Sequence, residues 1–184
     1  MSAILGNGTV TFGDGSVQST AAQPHGMQAF TSSGTFTIPN NVKNIKVIVV
    51  GAGGGSTSLG GGGGGGLAIS WLSGLNPGST LNITVGSGST GNGGTSQVYS
   101  GSQSITTITA YGGNGGNGDS TGSPGGAAGG SYNFNGQKAQ GRIFGGSGTY
   151  HAGQGAPASY FNYGAGGGAW VNSTSTQGIV VFEW

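Results

Sequence analysis

The chain contains no cysteine and almost no charge: four Lys and Arg, three Asp and Glu and two His among 184 residues, with a formal net charge of +1. Without cysteine there is no disulfide framework, though this fits many compartments. With so few cations there is no basic patch to neutralise phosphates, so nucleic-acid binding by charge is excluded. Asp14, Asp119 and Glu183 are the only carboxylates and none is paired, which argues against a glycan hydrolase working through two acids. His25 and His151 have no Cys, His or carboxylate at ligand spacing, so no metal site is expected. No apolar run approaches the 18 or so residues needed to span a bilayer, and membrane insertion is not expected. Residues 1–10 lack the basic and apolar regions of a signal peptide, so the product is expected to be made in the cytoplasm without one. Good helix formers never occur in amphipathic runs, so no helix of useful length is expected.

What the chain does have is glycine, 47 residues of it. Glycine at this level usually signals collagen or disorder. The run of residues 60–66, all glycine, breaks a Gly-X-Y period, and low charge combined with seven Phe, six Tyr and three Trp argues against disorder. Ordering glycine is costly, roughly 0.5–1 kcal/mol more than alanine per residue. The runs nevertheless recur, at 51–55, 60–66, 112–118, 125–130, 145–148 and 164–168, the first two beside the apolar run IKVIVV. An ordered solution is a bundle of extended polyglycine helices, three residues per turn with about 3.1 Å rise. Such helices lack internal hydrogen bonds, so neighbours must satisfy one another.

The rest reads as short strands. Residues 9–12 alternate, and Gly13-Asp14-Gly15 is a turn signal before Ser16-Val17-Gln18. One such hairpin is too small to be stable alone, which suggests pairing with other copies. Gln23-Pro24-His25-Gly26 reads as a hinge. Residues 30–38 form one strand-like stretch, and 45–50 a buried strand. Residues 67–71 and 81–85, separated by Asn76-Pro77-Gly78, read as a hairpin. Residues 97–99 and 105–111 add short strands, and 179–184 is a final strand expected to lie against 45–50. Phe36, Trp71, Phe182 and Trp184 lie in apolar or alternating strands and read as core. The expected fold is all-β: a glycine-rich, β-sandwich-like domain with packed polyglycine II helices over residues 27–184, preceded by a small β module over residues 1–26.

Two stretches resemble a known family. TFGDGSVQSTAA, residues 11–22, is similar to a short element of tailed-bacteriophage fibre and baseplate proteins. FTSSGTFTIP at 30–39, IKVIVVGAGGG at 45–55 and GIVVFEW at 178–184 resemble the glycine-rich domain at the distal ends of such fibres. A related glycine-helix packing occurs in extracellular regions of some animal receptor kinases, but residues 11–22 favour the phage resemblance. The resemblance implies a homotrimeric fibre in the virion, other tail-fibre subunits as partners, and a tip whose loops recognise a bacterial surface receptor, either a glycan or an outer-membrane protein.

Two motif matches fail on context. Gly51-Ala52-Gly53 follows a strand as a dinucleotide fingerprint does, but polyglycine follows where a helix should open, and no acid lies between Asp14 and Asp119. Gly118-Asp119-Ser120-Thr121-Gly122 fits the hydrolase elbow, yet no helix or oriented His supports a nucleophile. No catalytic residue and no cofactor are expected. The aromatics of the third region, Tyr132, Phe134, Tyr150, Tyr160, Phe161 and Tyr163, with His151 and Asn162, sit among Gly, Ser and Asn without strand alternation. Tyr, Ser, Gly and Asn together are the composition of antibody paratopes, and these eight residues are the candidate receptor contacts. The alternatives are that they plug gaps between glycine rods, or that the bundle is an ice-binding protein, which would need regular rows of Thr or Ala.

Overall fold

The computed structural model describes residues 4–6, 9–18, 25–56, 61–116, 128–136 and 175–184. The first strands, β1 (Ile4–Gly6), β2 (Thr9–Thr11) and β3 (Val17–Gln18), make a three-stranded antiparallel sheet in that order. The turn between β2 and β3 is built as its sequence requires. The Gly15 N–H donates to the Phe12 carbonyl at 2.9 Å, and Gly15 takes φ +84°, where a side chain would be strained. Ser16 gives both its hydroxyl (2.6 Å) and its backbone N–H (2.9 Å) to Asp14 Oδ1. Those two bonds, the hydroxyl first, favour the ionised carboxylate and hold Asp14 below its ordinary value of 3.8. What Asp14 gives the turn is therefore present above that value and lost as pH falls through the depressed one. An NMR titration of the Asp14 carboxyl carbon should show a midpoint below 3.8, and Ser16→Ala should raise it. An identical midpoint in the two proteins would remove Ser16 as the cause.

The remaining strands form two five-stranded antiparallel sheets. One has the order β11 (Ala128–Gly129), β10 (Ile108–Ala110), β9 (Ser96–Ser100), β8 (Thr80–Thr84), β5 (Gly34–Thr37). The other runs β12 (Tyr132–Phe134), β7 (Leu67–Leu72), β6 (Ile45–Val50), β13 (Ile179–Glu183), β4 (Met27–Phe30). No helix occurs among the described residues. The closing strand lies against β6 as expected, with Ile179 opposite Val50 and Glu183 opposite Lys46.

The core lies between the sheets. Phe36, Leu81, Ile83, Val98 and Ile108 from one meet Ile45, Val47, Val49, Val180 and Phe182 from the other. Because β6 and β13 are apolar at nearly every position, both of their faces are buried. Their alternate residues Ile48, Val50, Ile179 and Val181 join Leu67 in a second cluster on the far face.

Three sequence expectations change. Residues 67–72 and 80–84 are not a hairpin: β7 pairs with β6 and β12, β8 with β5 and β9. The turn between them carries the chain from one sheet to the other. Its geometry is that of a type II turn, with Pro77 second, Gly78 third at φ +82°, and Ser79 N–H donating to the Asn76 carbonyl at 3.1 Å. The stretch 30–38 likewise divides, β4 going to one sheet and β5 to the other. Gly26, read as part of a hinge, is bonded into the second sheet through reciprocal bonds with Trp184, at 2.8 and 2.9 Å.

Candidate functional site

The glycine segments continue the strands at one end of the sandwich. Segment 51–56 follows β6 and 61–66 leads into β7; 86–94 joins β8 to β9, 111–116 follows β10, and 175–178 leads into β13. Successive N–H groups of 51–56 point to different neighbours. Gly51 donates to Gly66, Ala52 to Gly94 and Gly53 to Thr176; Gly54 then returns to Gly63 and Gly55 to Gly91. The direction repeats every third residue, the signature of an extended three-fold helix. Gly113 and Gly116 donate in turn to the carbonyls of Ala52 and Gly55, again three apart. These are packed polyglycine II helices whose peptide groups are satisfied by neighbouring rods. Glycine is required by contact: a Cβ on Gly54 would land on the Asn114 carbonyl, and one on Gly65 on that of Gly51.

The rods also fix where other segments begin and end. Gly136 packs so closely on Gly64 that a Cβ would strike its carbonyl oxygen. Ser175 donates its backbone N–H to the Ser89 carbonyl at 3.2 Å and its hydroxyl to the Gly53 carbonyl. Of the candidate contacts, Tyr150, His151, Tyr160, Phe161, Asn162 and Tyr163 lie outside the described residues. Tyr132 and Phe134 are described. They stand on edge strand β12 opposite Ile69 and Leu67, 59% and 47% exposed.

Trp71 corrects the core assignment. Phe36 and Phe182 are fully buried and Trp184 packs on the core, but Trp71 is 58% exposed. It shares a face with Leu67 and Ile69, yet lies beyond the buried cluster those residues flank. The Tyr132 ring stands edge-on to it, centroids 5.4 Å apart at 77°. Alternation shows which residues share a face; it does not show where the covering of that face stops.

Beside Trp71 a cleft of about 630 Å³ opens at the edge where the sheets part. β12 pairs with β7 only over Leu67, Ala68 and Ile69, and β11 with β10 only at Thr109 and Ala110. Residues 128–134 thus cross from one sheet to the other through Gly130 and Ser131, and among the described residues nothing pairs with 70–72 of β7 on that side. One wall is residues 70–73 and the other is residues 104–109 with Tyr111. Ser70 Oγ accepts the Ser131 N–H at 3.0 Å, and Thr109 Oγ1 accepts from Gln97 Nε2 at 3.2 Å. The exposed hydroxyls of Ser73, Thr106 and Thr107 make no bond to the described residues. Tyr111 at the rim is 52% exposed. Among the described residues no charged side chain lines the cleft. Lys46, opposite Trp71 on β6, has its Nζ 2.9 Å from Glu183 Oε2.

The sequence reasoning missed this cleft. Its signal was the hydroxyl-rich run SITTIT at 104–109, set aside as strand. Among the described residues no three His, Cys, Asp or Glu come together as a metal would need. Curated proteins give no match to the chain. The glycine-rich domain profile matches residues 30–182, from β4 to the closing strand. The chain belongs to the glycine-rich domain family.

Proposed function

We propose that this protein is a non-enzymatic adhesin at the tip of a phage tail fibre, displaying aromatic and Asn-rich segments to a bacterial surface receptor. The observation that carries the reading is the fixing of Gly136 and Ser175, the residues on either side of 137–174, against the glycine rods. That segment holds Tyr150, His151, Tyr160, Phe161, Asn162 and Tyr163, and it leaves and re-enters the chain at Gly136 and Ser175, both locked to the rods. A scaffold satisfied by backbone bonds tolerates any sequence between such anchor points. That suits a surface whose contacts must vary while the fold persists. Paratope-like composition supports the same reading.

The N-terminal sheet supplies the fibre attachment in this proposal. Its strands are two or three residues long, and Phe12 and Val17 are 43% and 60% exposed. A sheet this small gains independent stability by association, so the protein acts as a homotrimer with other fibre subunits in the virion. The test joins both parts. The full chain should sediment at about three times its monomer mass, and removal of residues 1–23 should lower this. Labelled protein should adsorb to some strains of a bacterial panel, and Tyr150→Ala and Tyr160→Ala should abolish adsorption without moving the melting temperature. A monomeric full chain refutes the fibre role. Variants that melt early yet adsorb normally make those tyrosines packing residues.

A further inference from the structure

We propose that the cleft between residues 70–73 and 104–111 is a binding site for a neutral saccharide. Its volume, about 630 Å³, lies in the range of small-ligand sites. Its lining is mixed in a particular way: two exposed aromatics, Trp71 and Tyr111, and the hydroxyls of Ser73, Thr106 and Thr107, with no charged side chain among the described lining residues. A sugar ring has the matching chemistry, an apolar C–H face that stacks on an aromatic and an equatorial belt of hydroxyls that both donate and accept.

Competing ligand classes fit less well. A phosphorylated or carboxylated ligand would meet no cation among the described lining residues, and Lys46 beside them is paired with Glu183. A purely apolar ligand would bury serine and threonine hydroxyls without partners, at about 1–3 kcal/mol each. Ser73, Thr106 and Thr107 are the hydroxyls that make no bond to the described residues, whereas Ser70 and Thr109 are engaged with Ser131 and Gln97. Tyr132 is a positioning residue here: its ring stands edge-on to Trp71 at 5.4 Å and restrains the indole. The proposal deepens the recognition reading and rests on it only for whose glycan is bound; the chemistry of the cleft stands alone.

The experiment applies the full chain to a printed array of neutral oligosaccharides with sialylated and phosphorylated counterparts, and titrates the best neutral binder by calorimetry. Neutral glycans should be retained and acidic ones not. Trp71→Ala and Tyr111→Ala should each weaken binding roughly thirtyfold, and Trp71→Phe should recover most of it. Both positions are more than half exposed, so melting temperatures should hold. Tyr132→Ala should lower affinity less than Trp71→Ala and broaden the Trp71 indole NMR resonance, which a merely structural role would leave alone. Retention of acidic glycans in preference, no retention of any neutral glycan, or equal affinity of Trp71→Ala would overturn the assignment. The two proposals fail separately. Cell adsorption that persists with no glycan bound removes the cleft alone, and glycan binding without adsorption removes the adhesin alone.

Discussion

Phe182→Ala is expected to lower stability by about 3–5 kcal/mol, the usual cost of truncating a buried phenylalanine. At about 2–4 °C per kcal/mol for a chain of this size, the melting midpoint falls by on the order of 10 °C. The size follows from what the ring joins. Phe182, on β13, is fully buried and stacks on Phe36 of β5, centroids 4.0 Å apart and planes within 5°. Phe30 of β4 meets both rings edge-on, at 5.8 Å to Phe182 and 6.4 Å to Phe36. Because β5 and β13 belong to different sheets, this cluster fastens one sheet to the other. Truncation therefore leaves a cavity across the interface, where neither sheet can close over it without shifting the other. Phe182→Leu should cost less, because it leaves less empty volume. Phe134→Ala, on the exposed edge strand, is the control and should change the midpoint by little. Equal melting of Phe182→Ala and the parent would show that the sheets are held together elsewhere.

The fold was legible wherever a single strand's pattern sufficed. IKVIVV could only be a strand buried on both faces, and GIVVFEW could only be its equal, so their pairing followed. The turn residues were also readable, since Gly15 and Gly78 sit at the positive φ their turn types demand. Partner choice was not. Residues 67–72 and 80–84 have the spacing of a hairpin, but the turn at Pro77 and Gly78 aims the second strand at the opposite sheet. Nothing local distinguishes a turn within a sheet from one between sheets. The rods were legible from composition, because at positions such as Gly54 and Gly65 the neighbouring backbone leaves no room for a side chain. Their neighbours were not, since the order of rods in the bundle follows from the order of strands. The cleft was hidden for the same reason: it arises where β11 and β12 stop pairing, a tertiary fact. Trp71 stands there because its strand alternates, and alternation is silent about cover.

Gly54→Ala and Gly91→Ala are expected to act in opposite directions, although each adds one methyl to the same bundle. At Gly54 the new Cβ lands on the carbonyl of Asn114. That obstruction is backbone belonging to a neighbouring rod, so it cannot rotate aside as a side chain would. Relieving it means separating segments 51–56 and 111–116, whose bonds from Gly113 to Ala52 and from Gly116 to Gly55 hold them at 2.9 and 2.8 Å. Overpacking costs about 1–3 kcal/mol, and each buried peptide group left without a partner adds about 1–3 kcal/mol. Gly91 is exposed, its φ is outside the left-handed region, and a Cβ there meets only Ser89 Oγ at 3.7 Å, an ordinary contact. Alanine at that position restricts the unfolded chain without straining the folded one, which stabilises by about 0.4–1 kcal/mol. Thermal unfolding of the two variants decides the matter. A polyglycine bundle bonded rod to rod requires Gly54→Ala to melt well below the parent and Gly91→Ala at or slightly above it. Equal melting of the two would mean that the rods are spaced loosely enough to accept a methyl anywhere, and the scaffold would then owe its order to the flanking sheets alone.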